Sequence, residues 1–391
     1  MKKAVAILIN SLNGGGAEMV VSRVSKPLSE RYELYIFTLY VSEKDYDCAG
    51  HIINIGESGG YGKRVLNCIK NLNILIKEYH ISCVMSFLQV PDLINIVFNH
   101  SCKRIINLRG FQSLHTTTSF SNQLKYFLCK LFYRFADGVI AVSKELRVDG
   151  IKRFNISENK CFAIENYFEE KDIGDDLEDF KVKDFLQTHK TIVSVGRLVW
   201  TKNYEELLYV TAAVKQKVPD IGLLILGEGE ERLKLERLIN ELNINENVLL
   251  AGNKKNPMSY VKKCQMYVSF SFFEGFPNAL LEAMMCEVSV LHTACKTGPI
   301  EMLTGEYTGN EQIEQPEFVQ YGILVPDYFG MKDEKRKREN RKDIAEMICK
   351  VLDDKELRAE YGKKAKQRAK QYSKEKCVEK YVQVIEEITG Q

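Results

Sequence analysis

Proline and tryptophan are scarce in this chain, at 8 and 1 of 391 residues. So little proline excludes a collagen-like rod, and 45% apolar with 10% aromatic residues excludes a disordered chain. No apolar run reaches the roughly 18 residues that read as a membrane span. Charge of one sign is also missing. The 55 Lys and Arg against 53 Asp and Glu leave +2, too little to favour nucleic acid. The 11 cysteines form no CxxC pair, which fits small buried hydrophobes in a reducing cytoplasm rather than a disulfide frame. The six histidines show no HExxH spacing, and Asp45-Tyr46-Asp47 is a DxD match of the kind that chance supplies on a solvated loop. No metal site is expected. Glu57–Arg64 fails as a P-loop, with Glu57 for the first glycine and Arg64 for the Ser/Thr, and GxGxxG opens neither half of the chain. ATPase and dehydrogenase chemistry lose their support. The basic-then-apolar start, MKKAVAILIN, runs into GGGAE rather than a cleavage site and reads as a first strand.

What is present is a repeated α/β pattern. Short, mostly apolar runs recur at Val5–Asn10, Glu33–Leu39, Ile52–Ile55, Cys83–Phe87, Arg104–Leu108, Val139–Ser143 and Cys161–Ile164, with helical periodicity between them at Ala17–Leu28 and Val65–Glu78. Continuous rather than alternating apolar runs suit strands buried on both faces of a parallel sheet. An acidic stretch, Glu169–Asp179, interrupts, and the pattern restarts at Thr191–Val195, Leu223–Leu226, Val248–Ala251, Met266–Phe270, Val288–His292 and Gly322–Val325. The expectation is two doubly wound, Rossmann-like domains facing across a cleft: 1–166, an acidic linker 167–187, and 188–370. A final amphipathic helix, 371–391, is expected to pack back on the first domain. The basic run 335–342 (KRKRENRK) reads as a solvated loop before a helix.

Candidate chemistry gathers where strands end. Gly14, Gly15 and Gly16 lie between the first strand and a helix, where bare backbone and free amides can approach a ligand. Arg197 and Lys202 follow the strand that opens the second domain, a guanidinium fork and a point charge suited to a diphosphate. The most informative stretch is SFFEGFPNALLEAM, 271–284: Glu274 sits in the loop after a strand, Pro277 and Asn278 open a helix, and Glu282 lies one turn along it among apolar neighbours. Two carboxylates there can accept hydrogen bonds from hydroxyl pairs. Thr297-Gly298-Pro299-Ile300-Glu301 makes another loop-to-helix entry, either an anion nest or a bare turn.

The E-x7-E spacing within EGFPNALLEAM resembles the retaining GT-B-fold glycosyltransferases of family 4, also called glycosyltransferase group 1. NGGGAE (13–18), GRL and KN (196–203), LLILGEGE (223–230), GPIEML (298–303) and GILVP (322–326) follow the same resemblance in order over nearly the whole chain. The resemblance implies a nucleotide-sugar donor, commonly UDP-linked, in the second domain, with no further cofactor. By it, Arg197 and Lys202 hold the diphosphate, Glu274 meets donor-sugar hydroxyls and Glu282 the ribose. Gly275, Phe276, Pro277, Asn278 and Leu281 line the donor, Asn253 lies by the base, and Gly15 and Gly16 approach from the first domain. Arg109 stands where relatives place a His or Arg near the sugar, with His115 in reserve. Relatives usually carry Gly and Pro where this chain has Glu287 and Ser289.

The implied reaction moves a hexose or N-acetylhexosamine with retention. The leaving diphosphate would help deprotonate the acceptor, and no enzymic carboxylate is needed as nucleophile, unlike in glycosidases. A glycan or lipid-linked acceptor of the cell envelope is expected. The run 123–134, QLKYFLCKLFYR, puts Leu124, Phe127, Leu128, Leu131 and Phe132 on an apolar face beside Lys125, Lys130 and Arg134. It reads either as a buried helix with a basic edge or as a helix on an anionic membrane surface, at the cytoplasmic face. Two other functions stay open, a nucleotide-sugar epimerase and a non-catalytic partner of a transferase.

Overall fold

The computed structural model describes residues 2–40, 46–110, 120–174, 177–306 and 313–390. It divides into two units, Met1–Asn166 with Lys374–Gln391, and Tyr167–Ser373.

The first unit holds seven strands: β1 (Ala4–Ile9), β2 (Glu33–Thr38), β3 (His51–Asn54), β4 (Cys83–Phe87), β5 (Lys103–Leu108), β6 (Gly138–Ala141) and β7 (Cys161–Ala163). They lie in the order β3-β2-β1-β4-β5-β6-β7 and every pairing is parallel. Parallel neighbours need crossovers, and the helices Gly16–Arg31, Tyr61–Glu78, Gln89–Phe98, Phe120–Phe132 and Lys144–Phe154 supply them. All six residues of β1 are buried, because the sheet is covered on both faces. Burying each such Ile or Leu is worth about 1.5–3 kcal/mol. The last helix, Lys374–Thr389, returns to this unit, where Lys380 pairs with Glu165 at 2.6 Å.

The second unit repeats the plan with β8 (Lys190–Val195), β9 (Ile221–Leu226), β10 (Val248–Gly252), β11 (Met266–Ser269), β12 (Ser289–Thr293), β13 (Glu317–Val319) and β14 (Gly322–Val325). The order is β10-β9-β8-β11-β12-β14-β13. The hairpin pairing β13–β14 is antiparallel, a short edge strand that the sequence pattern does not signal. In both sheets the strand order reverses beside the first strand, between β1 and β4 and between β8 and β11. Such reversal points leave a crevice at the carboxyl ends of the strands.

One sequence expectation is corrected. The basic run 335–342 is not a loop but the first half of the helix Glu334–Asp353. Asp333 caps it, accepting from the Lys335 and Arg336 amides. Arg341 is anchored by two 2.6 Å bonds to Glu206, a fork-on-carboxylate pair that needs helical geometry to reach. All 11 cysteines are free thiols. Among the described residues no helix is long and apolar enough to cross a membrane.

Candidate functional site

In the second unit the loop after β8 is shaped by close backbone approach. A Cβ on Gly227 would collide with the Gly196 carbonyl, and one on Gly229 with the Leu198 carbonyl. Glycine at 227 and 229 therefore lets the β9 loop lie directly against the β8 loop, tied by Leu198 N–H to the Glu228 carbonyl at 2.9 Å. Lys202 ends a single 3-10 turn, Trp200–Lys202, and Asn203 takes a left-handed conformation (φ 51°) before the helix Tyr204–Lys215. Tyr204 Oη donates to the Gly196 carbonyl at 3.0 Å and so fixes that turn against the strand end.

Lys202 and Glu274 meet there. Lys202 Nζ lies 2.5 Å from Glu274 Oε1, and both side chains are largely buried. They come from β8 and β11, adjacent strands at the reversal point. Burial alone would raise the Glu274 pKa. The Lys202 ammonium, its hydrogen bond and the Ser271 hydroxyl outweigh that and hold the carboxyl below its ordinary value. The pair is thus a charge-assisted contact of the stronger kind, already ionised.

The Glu274 loop is held from behind. Thr297 has φ 67°, a left-handed conformation that costs a β-branched residue about 1–3 kcal/mol, and its hydroxyl donates to the Glu274 carbonyl. Gly298 follows at φ 74°, where a Cβ would sit 2.8 Å from both the Gly275 carbonyl and Pro277 Cδ. Thr293 Oγ1 donates to the Ser271 carbonyl at 2.6 Å. Phe276 stands edge-on to Tyr372, ring centres 5.0 Å apart. Pro277 caps the helix Asn278–Met285, on which Leu281 and Glu282 are buried. Glu301 is buried in the next short helix, Pro299–Thr304.

His292, at the end of β12, is fully buried and is not among the residues singled out from the sequence. Its Nδ1 lies 2.8 Å from the Thr293 carbonyl, which makes Nδ1 the protonated nitrogen of a neutral ring, and Nε2 has no partner among the described residues. Burial pushes its pKa down to about 4 against the pull of Glu274 and the Thr293 carbonyl, helped by Lys202. A lone histidine closing an apolar strand beside the reversal point is the one sequence signal that marks it.

The other expected residues lie apart from this pair. Arg197 is exposed just beyond the end of β8, where its carbonyl accepts from the Val199 amide at 2.9 Å, and its guanidinium has no hydrogen-bond or ion-pair partner among the described residues. Asn253 is exposed after β10. In the first unit, Gly15 caps the helix Gly16–Arg31, and the Glu18 carboxylate folds back to the place a Gly15 side chain would occupy. Arg109 follows β5. Its Nη2 donates to Asn166 Oδ1 at 2.8 Å, while Nη1 is buried without an acceptor among the described residues. Burial lowers its pKa, opposed by Tyr381 and Cys377 of the terminal helix and by Glu18. His115 and Asp45 lie outside the described residues. Among the described residues no three His, Cys, Asp or Glu side chains cluster as metal ligands.

The departures from the family pattern have local explanations. Glu287 takes φ 62°, the conformation glycine would supply, and Lys366 holds its carboxylate at 3.0 Å. Ser289 is buried and donates to the Arg358 carbonyl at 3.0 Å.

Residues 175–311 match the family model described as "Glycosyl transferases group 1". A Campylobacter jejuni protein named N-acetylgalactosamine-N,N'-diacetylbacillosaminyl-diphospho-undecaprenol 4-alpha-N-acetylgalactosaminyltransferase is 31% identical over 95% of this chain and 96% of its own length. A second C. jejuni protein, GalNAc-alpha-(1->4)-GalNAc-alpha-(1->3)-diNAcBac-PP-undecaprenol alpha-1,4-N-acetyl-D-galactosaminyltransferase, is 22% identical over 98% of both chains. Among solved structures, Anabaena HepE in complex with UDP and glucose matches in fold. Its TM-score is 0.76 at 16% identity, over 98% of this chain and 100% of that one.

Proposed function

From the premise that the chain belongs to the group 1 glycosyltransferase family, and so is a GT-B-fold transferase, we propose that it moves an N-acetylhexosamine or hexose from a UDP-sugar, with retention, to a hydroxyl of a lipid-linked glycan. The observation that carries this reading is the Lys202–Glu274 pair at the strand ends of the second sheet.

Each partner of that pair matches one end of a sugar diphosphate. The ammonium of Lys202 and the unpartnered guanidinium of Arg197 would take the diphosphate and stabilise the negative charge that grows on it as the sugar leaves. Glu274, kept ionised, would accept from the sugar hydroxyls. Glu282 would take the ribose hydroxyls, while Gly275, Phe276, Pro277, Asn278 and Leu281 line the donor and Asn253 stands by the base. In the first unit, Arg109 with Gly15 and Gly16 would meet the donor's sugar or phosphates. No side chain attacks the anomeric carbon. The departing phosphate oxygen draws the proton from the acceptor hydroxyl on the same face.

The acceptor class is supported by the diphospho-undecaprenol-linked saccharides in the names of the two C. jejuni relatives, and UDP by the ligand in HepE. A lipid-linked acceptor calls for membrane contact. The helix Phe120–Phe132 and the turn after it expose Leu124 (47%), Phe127 (61%), Leu131 (39%) and Phe135 (50%), with the exposed cations Lys130 and Arg134 among them. Apolar residues left in water beside cations suit the surface of an anionic leaflet.

The test is nucleotide release over a panel of UDP-, GDP- and ADP-sugars, with and without membrane lipid extract. One UDP-sugar stimulated by extract is expected. Release from a GDP- or ADP-sugar alone would overturn the donor, and indifference to extract would overturn the acceptor.

A further inference from the structure

The loops that carry Lys202 and Glu274 also carry a cluster of aromatic rings that transfer chemistry does not require. Trp200 begins the turn that Lys202 ends, and Phe272 and Phe273 immediately precede Glu274. Phe272 N–H donates to the Thr201 carbonyl at 2.9 Å, which stitches the two loops together. Phe329, from the loop after β14, completes the cluster. Its ring centre lies 4.4 Å from that of Phe273 and 5.8 Å from that of Phe272. Trp200 lies 5.9 Å from Phe273 and 6.0 Å from Phe272. Phe273 is buried at the centre and makes edge-on contacts with Trp200 and Phe329 (77° and 69°), which fix the orientation of both outer rings.

The outer rings stay in water. Trp200 is 39% and Phe329 41% exposed. Rigid rings left exposed next to a reaction centre form a surface that something covers in use. Two observations indicate what. First, Trp200 shares a turn with Lys202 and Phe273 directly precedes Glu274, so an occupant of the rings lies beside the pair proposed to meet the donor. Second, its border is polar. Asp327 Oδ1 accepts from the Phe329 amide at 2.9 Å, and the half-buried carboxylate also feels the charge of Lys296. A pyranose ring has this duality, a flat C–H face for an aromatic ring and equatorial hydroxyls for a carboxylate. Small-ligand sites are built the same way, aromatic walls with a few placed polar groups. An acyl chain or an anionic lipid surface would gain nothing from the carboxylate.

We propose that Trp200, Phe272, Phe273 and Phe329 form a shelf on which a sugar ring of the glycan acceptor stacks, with Asp327 accepting from its hydroxyls. This rests on the transferase reading above and adds the place where the acceptor's saccharide is held.

Trp200 is the chain's only tryptophan, so its emission reports on the shelf alone. The experiment titrates the full-length protein with methyl N-acetyl-α-D-galactosaminide, with UDP, and with phosphatidylcholine–phosphatidylglycerol vesicles free of glycan. UDP affinity is measured in parallel by calorimetry. A saturable shift in emission with the glycoside is expected, weakened at least fivefold in Phe329→Ala and Asp327→Asn, with UDP affinity in both variants within twofold of the parent. Phe329 is exposed and Asp327 half-buried, and the unchanged UDP affinity certifies that each variant is folded. Emission that moves with vesicles and not with the glycoside would overturn the proposal in favour of a lipid contact. Emission unmoved by the glycoside while UDP binds would overturn the shelf and leave the transferase reading standing. Absence of UDP binding in the parent protein would count against both.

Discussion

At the scale of single residues, His292 is a neutral, fully buried ring that feels the charges of Glu274 and Lys202, and its effect on stability has a definite sign. Its pKa is about 4 in the fold and 6.5 ordinarily. Between pH 6.5 and pH 4 the unfolded chain therefore binds a proton that the folded chain refuses. The stabilisation is present above pH 6.5 and is lost as pH falls to 4, about 3 kcal/mol in all. Asp327 works the other way, since burial raises its pKa from 3.8 to about 6, so the fold gains from its protonation in that window. Comparing the parent with His292→Asn cancels the Asp327 contribution. Denaturant melts at pH 7.5 and pH 4.5 should show the parent losing more stability than the variant, and equal losses would contradict the buried neutral imidazole. Little of this is legible in the sequence, where His292 is one polar letter in an apolar strand. Its burial is a property of the sheet.

At the scale of elements, the strand-end loops carry the chemistry, and their backbones are braced by residues from neighbouring loops. Thr297 is the clearest brace, held left-handed with its hydroxyl on the Glu274 carbonyl. Thr297→Val keeps the shape and leaves that carbonyl without its donor, at a cost of about 1–3 kcal/mol. The variant should also turn over more slowly with donor affinity little changed; full turnover would show that the brace does not position Glu274. The helix Phe120–Phe132 makes a separate prediction. Phe127→Glu with Leu131→Glu should abolish flotation with anionic liposomes and leave nucleotide release on a soluble acceptor intact. Flotation at the parent level would remove the membrane-surface reading. Sequence periodicity finds this helix but leaves two readings of it, because a 3.6-residue stripe looks the same whether it faces a core or a membrane. The run 335–342 fails for a different reason. Dense positive charge suggests a loop, whereas the Asp333 cap and the Glu206 carboxylate, far off in sequence, make it helical.

At the scale of the molecule, two parallel sheets with the same reversal of strand order account for where the candidate residues lie. The continuous apolar runs announce both sheets, since a strand covered on both faces has no polar side to show. What no local pattern reveals is adjacency. Lys202 and Glu274 meet because β11 pairs with β8. The terminal helix brings Tyr381 toward Arg109 because the chain's last segment returns to the first unit. A motif places a residue at a strand end, and only the strand order decides which strand ends are neighbours.

The central claim is that the Lys202 ammonium acts on charge that develops as the sugar leaves, rather than merely holding the donor. Lys202→Ala tests it most directly, with the UDP-sugar dissociation constant and the single-turnover rate measured on the same protein. The rate should fall about 100-fold or more, as for loss of one preorganised charge-stabilising group, while the dissociation constant rises less than about tenfold. Equal losses in binding and rate would contradict it, because Lys202 would then stabilise the bound donor and the transition state alike.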